Sequence, residues 1–263
     1  MYGDREPSGF YLMNQATRKV DPVMFAADWL ALEKLAPMRD VVFEARDARK
    51  IPGLLTLPLG RDEKNLPLVV FPHGGPFNVL DPWRYDTVVQ MLASHGYAVL
   101  QVNFRGSTGY GRDHAISGCK QWGLKMQDDL TDATRWAIAQ GVADKDRICI
   151  YGASYGGYAA LMGPIKEPGL CKYAVGQVGV YDLAKVKADG TTRNDYLRTF
   201  FAETFNDGDL AAHSPNKLAS KVKVPVFLSA GKEDEIAPIE HIEMMEGALK
   251  AAGVPVGTLC FRR

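Results

Sequence analysis

The most informative stretch of this 263-residue chain is residues 147–162, which read RICIYGASYGGYAALM. Arg147–Tyr151 has the apolar composition of a short buried strand, and Tyr158–Met162 has that of a helix. The residues GASYG at 152–156 join them and fit the pattern G-x-S-x-G. A serine in a tight turn between a strand and a helix presents its hydroxyl above the sheet. The stretch therefore predicts that Ser154 is a catalytic nucleophile.

The two glycines of the pattern are explained by the limited space in the turn. Gly152 and Gly156 flank a turn in which only residues without bulky side chains fit, and the serine itself is held in a strained conformation. The pattern alone is a weak signal in a chain with 26 glycines, but the flanking strand and helix are the arrangement that such a turn requires. The alternative, a glycine-rich turn with an exposed serine, does not explain the motifs that follow.

A second loop can supply amide groups for acyl transfer. A tetrahedral intermediate is stabilised by backbone N–H groups, one from the residue after the nucleophile and one from a loop after an earlier strand. Tyr155 is predicted to donate the first. The residues HGGP at 73–76 directly follow the apolar run Leu68–Phe71, and glycines let a backbone approach a substrate closely. We predict Gly75 as the second donor and Gly74 as the next choice.

Two charged or titratable residues are predicted to organise the site. His73 opens the loop that contains Gly74 and Gly75, so it is expected to hold that loop by hydrogen bonding rather than to act as the base. The segment Asn103–Gly111 follows another strand and carries a guanidinium, hydroxyls and glycines. Its Arg105 is expected to pin the loop beside the site and not to take part in the chemistry.

The acidic member of the site is expected in the segment Gly231–Pro238. This segment follows the strand-like run Val226–Ser229 and comes after the serine, which is the chain order of serine hydrolases with a strand-to-helix elbow. Asp234 is the favoured residue because of its position after the strand and shortly before Pro238. The alternative is that the three adjacent acids, which include Glu233 and Glu235, form only a solvated loop.

The order serine, aspartate, histidine requires a histidine after the last strand, where it can reach both other residues. The last strand-like run is Val256–Phe261, and the sequence given ends at Arg263. The five histidines all lie upstream of that point: His73, His95, His114, His213 and His241. His241 alone follows Asp234, in a helix that leads away from the site. We therefore predict that the chain stops before the catalytic histidine loop and is nearly inactive as given.

The pattern of elements predicts one large α/β domain. From Arg39 onward strands alternate with helices, after an opening hairpin, which favours a mostly parallel central sheet of about eight strands with helices on both faces. Together with the serine turn, this predicts the α/β-hydrolase fold over residues 37–263.

Residues 1–36 are predicted to be an appendage, with a strand at Ser8–Asn14 and a helix at Asp21–Leu35. Between Asp182 and Val222 we expect helices over the edge of the sheet. Their aromatic residues are predicted to belong to the core: Tyr196, Phe200, Phe201 and Phe205.

The composition limits the class of partner. The chain has 31 basic and 31 acidic residues, so no net charge draws it to nucleic acid or to an anionic membrane surface. No apolar run is long enough for a membrane span, and Met1–Phe10 lacks the order of a signal peptide. We expect a cytoplasmic protein, or a periplasmic one if a longer precursor carries a signal peptide. Its partners are expected to be peptides or small acyl substrates.

The cysteines and histidines do not form a metal-binding pattern. The four cysteines (Cys119, Cys149, Cys171 and Cys260) show no C-x-x-C pairing, and a 28.9 kDa domain is stable without disulfides. We predict four free thiols, with Cys149 and Cys260 buried in strands as small apolar side chains. No metal and no cofactor are predicted.

Four motifs in this order resemble the catalytic domain of prolyl oligopeptidase family serine peptidases, especially acylaminoacyl-peptidase and dipeptidyl-peptidase-like members. They are HGGP at 73–76, NFRGSTGYG at 103–111, GASYGG at 152–157 and DEIAP at 234–238. The resemblance implies cleavage of short or acylated peptides through a serine acyl-enzyme, with the amides of Tyr155 and Gly75 as the oxyanion hole. It also makes self-association into a homo-oligomer plausible.

The sequence departs from that family at both ends. Members usually carry an N-terminal β-propeller, whereas only residues 1–36 precede the hydrolase region here, and these resemble the end of a propeller and its linker. The family's C-terminal histidine is also absent from the sequence given. Two other functions stay open: a carboxylesterase that acts on small acyl esters, since the serine turn serves both chemistries, and a catalytically dead binding module with the same fold.

Overall fold

The computed structural model describes residues 3–193 and 195–261. The strands are β1 (Gly9–Met13), β2 (Val20–Phe25), β3 (Met38–Glu44), β4 (Lys50–Thr56), β5 (Leu66–Pro72), β6 (Ala98–Val102), β7 (Ala143–Ala153), β8 (Tyr173–Gln177), β9 (Val226–Gly231) and β10 (Val256–Phe261). The α-helices are α1 (Thr87–Ser94), α2 (Arg112–Ile116), α3 (Lys125–Ala139), α4 (Tyr155–Lys166), α5 (Leu183–Arg193), α6 (Asp195–Thr204) and α7 (Glu240–Ala251). Short 3-10 helices cover Leu32–Lys34, Leu210–His213 and Pro215–Lys221.

Eight of the strands form one sheet in the order β10-β9-β8-β7-β5-β6-β4-β3. Neighbouring strands from β10 to β6 are parallel, and β4 pairs antiparallel with both β3 and β6. This is the mostly parallel sheet of about eight strands that the sequence predicted, and β3 and β4 are its predicted opening hairpin. All five residues of β6 are buried, as expected for a strand that is covered on both faces.

The path of the chain places two loops next to each other at one edge of the sheet. The chain runs from β5 through α1 to β6 on one side of β5, and it later enters β7 on the other side of β5. Where the strand order reverses in this way, a crevice opens at the carboxyl ends of the strands. The loops that follow β5 and β7 therefore meet at this crevice.

Helix α4 begins directly against the end of β5. Every residue from Tyr155 to Ile165 is buried, so this helix occupies the centre of the domain. A side-chain carbon added to Gly156 would lie 2.2 Å from the carbonyl oxygen of Pro72, which is the last residue of β5. One added to Gly152 would lie 2.5 Å from the backbone of Gly156. Glycine is needed at both positions because backbone occupies the space that a side chain would take.

The N-terminal residues differ from the prediction. β1 forms where the sequence predicted a strand, but the predicted helix at Asp21–Leu35 was wrong. β2 pairs antiparallel with β1 there, and turns and a 3-10 helix at Leu32–Lys34 follow. The pairing of β2 with β1 is the physical reason, because contacts between segments override local helical periodicity. Pro22 does not decide between the two, since proline is tolerated in the first turn of a helix as well as in an edge strand. Trp29, which the helix would have placed on one face, is 77% exposed.

The cysteines are free, as the sequence predicted, but their burial is not uniform. Cys171 is buried, and Cys119 and Cys149 are partly buried. The expectation that Cys260 is buried was wrong: it is exposed, because β10 is the edge strand of the sheet and most of its residues are solvent-accessible in the described part of the chain. Within the described ranges, none of the helices has the length and apolar content that crossing a membrane requires.

The close approach of α4 to β5 generates a stability prediction. Gly156→Ala is expected to lower the free energy of unfolding by about 3 kcal/mol or more, since the added methyl group meets backbone that cannot move independently. Gly247→Ala is the matched control: Gly247 lies within α7 and has open space around it, so alanine there should raise stability by up to about 1 kcal/mol. Urea denaturation measures both. Equal stabilities of the two variants would contradict the packing described.

Candidate active site

Ser154 lies at the turn between β7 and α4 in an unusual backbone conformation. Its φ is 57° and its ψ is −119°, in a region that residues with side chains rarely adopt. Hydrogen bonds hold the turn from both sides. The Ser154 N–H donates to the Gln177 carbonyl at 3.0 Å, and the Tyr158 N–H donates to the Ser154 carbonyl at 3.1 Å. The serine is half-buried, so its hydroxyl is held in place and still accessible.

Tyr155 is the first residue of α4, and its N–H therefore has no carbonyl partner within the helix. The N-terminus of a helix carries partial positive charge, which favours an anion beside it. The ring of Tyr155 is buried between Phe104 and Trp122, at centroid distances of 5.3 Å and 4.6 Å. This packing anchors the residue whose amide is predicted to be the first oxyanion donor.

The loop after β5 lies against the nucleophile. A side-chain carbon added to Gly74 would lie 3.4 Å from Cβ and 4.0 Å from Oγ of Ser154. Gly75 has a φ of +115°, a conformation that glycine adopts without strain. The structure therefore brings the predicted glycine loop beside the predicted serine, with only backbone facing the hydroxyl.

His73 fixes the orientation of this loop. Its Nδ1 lies 2.6 Å from the Gly74 carbonyl oxygen and its Nε2 lies 2.8 Å from Oγ of Ser107. A carbonyl oxygen can only accept, so Nδ1 carries the proton and donates to Gly74. Nε2 of the neutral ring is then an acceptor, and it shares the single proton of the Ser107 hydroxyl with the Phe104 carbonyl, which lies 2.7 Å from Ser107 Oγ. In a trans peptide the carbonyl and the next N–H point in opposite directions, so the Gly75 N–H points away from His73. Because His73 fixes the Gly74 carbonyl, it also fixes the direction of the Gly75 N–H.

The environment of His73 keeps its ring neutral. The ring is buried and stacks on Phe104 with a centroid distance of 4.4 Å. Burial lowers the pKa of His73 to about 4, against the opposing effect of the hydrogen bond to Gly74. Neither ring nitrogen has Ser154 as a hydrogen-bond partner. The arrangement supports the predicted organising role and not the role of base.

Arg105 joins three parts of the chain in a buried ion cluster. Its guanidinium donates to both carboxylate oxygens of Asp129 on α3, at 2.9 Å and 2.6 Å, and to both of Asp47 in the turn between β3 and β4, at 2.8 Å and 3.0 Å. The Arg105 N–H also donates to Asp129 at 2.9 Å. Burial alone would lower the pKa of Arg105, but the two carboxylates outweigh it and raise this pKa, and Arg105 in turn lowers the pKa of Asp47. The side chain is occupied by these contacts.

Sequence reasoning did not identify the partners of the two organising residues. Asp129, Asp47 and Ser107 were missed, although each makes a hydrogen bond that fixes His73 or Arg105. They lie 24, 58 and 34 positions from the residues they bind, so no local spacing reveals the pairs. The only available signal was that an arginine in a buried loop requires carboxylate partners.

Asp234 lies in the turn after β9, where the sequence placed it. Its Oδ1 accepts hydrogen bonds from the N–H groups of Ile236 and Ala237, both at 2.8 Å, which fix the carboxylate in the turn. Asp234 is half-buried, whereas Glu233 and Glu235 are exposed. An open pocket of about 300 Å³ adjoins it; its lining is Val178, Gly231, Glu233, Asp234 and Phe261.

The histidines other than His73 have structural environments. Nε2 of His114 lies 3.1 Å from two backbone carbonyls, and the residue is buried in α2 rather than in the polar loop that the sequence suggested. Nδ1 of His241 accepts from the Tyr181 N–H at 3.2 Å, and His95 contacts the Met91 carbonyl at a helix end. His213 is half-buried next to its 3-10 helix. Over residues 3–193 and 195–261, no histidine is hydrogen-bonded to Ser154 or Asp234.

The described residues contain no group of three or more histidine, cysteine, aspartate or glutamate side chains arranged to hold a metal ion. The chemistry that the arrangement can perform is acyl transfer. A hydroxyl lies against the backbone of Gly74 and beside the first amide of α4, and a carboxylate is fixed at the end of a strand of the same sheet.

Comparison with known proteins agrees with this geometry. Residues 83–263 match the model of the prolyl oligopeptidase family. The chain is 34% identical over 272 residues to dipeptidyl aminopeptidase BIII of Pseudoxanthomonas mexicana, covering 97% of this chain and 39% of that protein. It is 28% identical over 263 residues to the acylamino-acid-releasing enzyme of Mus musculus, covering 90% of this chain and 35% of that enzyme. The chain thus spans about two fifths of the length of these relatives.

Solved structures show the same likeness. A puromycin-hydrolyzing peptidase of Mycobacterium tuberculosis superposes with a TM-score of 0.88 at 25% identity, covering 99% of this chain and 40% of the other. An acylaminoacyl peptidase of Pyrococcus horikoshii superposes with a TM-score of 0.86 at 25% identity, covering 100% and 42%. The α/β-hydrolase fold predicted from the sequence is confirmed.

The cluster around Arg105 predicts a large loss of stability when the guanidinium is removed. Arg105→Met leaves the fully buried carboxylate of Asp129 without its charged partner, and we expect the free energy of unfolding to fall by about 3–5 kcal/mol. Arg39→Met removes an exposed arginine that pairs with Glu63, so it should change stability by less than about 1 kcal/mol. Thermal or urea denaturation distinguishes the two. Similarly small losses of stability in both variants would mean that the Arg105 cluster does not contribute to the free energy of unfolding as described.

His73 predicts a pH dependence of stability. The folded state keeps His73 neutral down to a pKa of about 4, whereas the unfolded chain binds a proton near the ordinary value of 6.5. Between these values the unfolded state holds more protons, so the contribution of His73 falls as the pH falls from 6.5 to 4, by up to about 1.4 kcal/mol per pH unit.

His73→Asn, which keeps a donor near Nδ1, removes this dependence. The stability difference between wild type and variant should therefore shrink from pH 7 to pH 4 in urea titrations. His95→Asn, at an exposed helix end, controls for the loss of an imidazole as such. A difference that stays constant over this range would show that His73 is not buried as described.

Proposed function

This chain belongs to the prolyl oligopeptidase family, and we propose that it is the catalytic region of a serine peptidase that cleaves short or acylated peptides through a serine acyl-enzyme. The observation that carries the proposal is the position of Ser154. Its hydroxyl lies in a strained turn against the backbone of Gly74, beside the first amide of α4. Acylamino-acid-releasing and dipeptidyl aminopeptidase relatives support peptides as the substrate class.

In the proposed reaction, Oγ of Ser154 attacks the carbonyl carbon of the scissile bond. The Oγ proton passes to an imidazole base, a C–O bond forms, and the carbonyl oxygen becomes an oxyanion that accepts from the N–H groups of Tyr155 and Gly75. The C–N bond then breaks, and the base returns its proton to the leaving amine. Water, activated by the same base, hydrolyses the ester and restores the serine hydroxyl.

The imidazole of this proposal would enter the site from the carboxyl end of β10. The register of the sheet supports this position. Phe261 pairs with Gly231, and the Lys232 N–H donates to the Phe261 carbonyl at 2.9 Å, so a chain leaving β10 emerges beside the turn of Asp234. The open pocket beside Asp234 has room for an imidazole, which the carboxylate would orient.

The proposal predicts selective labelling of one serine. In the full-length gene product, a fluorophosphonate probe is expected to modify Ser154, as identified by peptide mass spectrometry, and Ser154→Ala should abolish the labelling. Ser220→Ala, at an exposed serine outside the site, should label like the wild type. Peptide and N-acyl amides should be hydrolysed; turnover of small esters alone would favour a carboxylesterase, and absence of labelling would favour a binding module.

The 263-residue chain on its own should hydrolyse the same amides at least about 10³-fold more slowly than the full-length gene product, because a serine hydroxyl without a neighbouring base is a weak nucleophile. Circular dichroism of the isolated chain checks that it is folded in the assay. Comparable rates for the two proteins would place the base within the chain.

A further inference from the structure

An open pocket of about 290 Å³ lies beside the loop that carries the oxyanion glycines. One wall comes from Phe77, just after that loop. Phe200 and Glu203 of α6 also line the pocket, as does Cys119. The sequence predicted that the aromatic residues of this segment belong to the core. Phe201 and Phe205 do, but Phe200 is only partly buried and lines the pocket, and the side chain of Tyr196 is outside the described residues.

The pocket is close to the nucleophile. Gly74 lies against Ser154, and Phe77 follows Gly74 by three residues, so their Cα atoms are at most about 11 Å apart. When the scissile carbonyl oxygen lies between the amides of Gly75 and Tyr155, the next carbon of the acyl group is the substituted one. The side chain on that carbon is therefore the part of a substrate that reaches this pocket most directly.

The walls of the pocket suit a hydrocarbon stem. The rings of Phe77 and Phe200 meet edge to face with a centroid distance of 5.8 Å. Small or apolar residues of α2 and of the loop that follows β6 also line the pocket. Aromatic faces pack against methylene groups and also attract a cation.

Glu203 supplies a negative charge to this surface, whose other lining residues are uncharged. It follows Phe200 by three residues on α6, so both side chains are on the same face of the helix. No ion pair joins Glu203 to a described cation, whereas Lys120 is paired with Asp207 and Arg198 with Asp195. The carboxylate is near the Cys119 thiol: burial raises the pKa of this thiol, Glu203 raises it further, and Lys120 has the opposite effect.

We propose that this pocket binds the side chain of the residue on the acyl side of the scissile bond and selects lysine or arginine there. The inference rests on the proposed peptidase function. The methylene stem would lie against the Phe77 and Phe200 rings, and the ammonium or guanidinium would pair with Glu203. An apolar side chain would bring no partner to the carboxylate and would displace part of its water.

The kinetic test uses the full-length gene product and matched peptidyl coumarin amides. The residue before the coumarin is arginine, lysine, citrulline or norleucine; citrulline and norleucine are the neutral counterparts. We expect kcat/KM for arginine and lysine to exceed that for the neutral residues by about tenfold or more. Glu203→Gln should remove this preference through KM, with the norleucine substrate changed by less than about threefold.

Asp207→Asn is the control, because Asp207 is a nearby carboxylate that does not line the pocket. It should keep the preference for basic residues. Turnover without such a preference, or an equal loss on all substrates in Glu203→Gln, would overturn the inference and leave the peptidase function standing. If Glu203→Gln instead slows every substrate that has a free amino terminus, whichever residue precedes the coumarin, then Glu203 binds that terminus. This result would also overturn the inference. Absence of amide turnover with every substrate would overturn the peptidase function itself.

A binding test on the same protein does not depend on hydrolysis. n-Butylguanidine is expected to slow the alkylation of Cys119 by iodoacetamide, measured by peptide mass spectrometry, whereas the neutral N-butylurea should not. Cys260, which is exposed, is the internal control. Glu203→Gln should abolish the protection. Protection by both compounds alike, or protection that persists in the variant, would show that the pocket does not select a cation.

Discussion

The site depends on the contact between the start of α4 and the end of β5. Backbone meets backbone there, because the space for a side chain at Gly156 is filled by the Pro72 carbonyl and that at Gly152 by Gly156. The contact fixes how close the serine turn comes to the glycine loop. It also explains why Ser154 can keep a positive φ, since the surrounding structure over-determines the strained residue.

Charged and polar groups behind the site hold its loops without entering the reaction. His73 holds the Gly74 carbonyl, and Arg105 joins the loop after β6 to α3 and to the β3–β4 turn through Asp129 and Asp47. The two anchors, the His73 ring and the Arg105 cluster, differ in charge. A neutral imidazole adds no net charge beside the serine. The positive charges of Arg105 and of Lys125, whose Nζ lies 3.6 Å from Asp47, together balance the two carboxylates, so the cluster adds little field at a distance.

Local patterns predicted most of the fold and the order of the site residues, and distant pairings could not be predicted. The strand before Ser154 and the helix after it were found because each has a continuous signal of its own, and Asp234 lies in the turn after a strand, where the pattern placed it. The helix expected at Asp21–Leu35 was wrong because pairing with β1 overrode the apparent periodicity. Asp47, Asp129 and the pocket residue Glu203 depend on contacts between segments far apart in the chain, which leave no local spacing.

The groups at the site come from the ends of three strands that are neither consecutive nor close in sequence. β5 leads to Gly75, β7 to Ser154 and β9 to Asp234, and parallel pairing over such separations forms slowly. The residues of the candidate site therefore come together only after most of the sheet has formed. Under the proposed function, the chain's own peptide bonds would by that stage be largely protected in hydrogen-bonded structure.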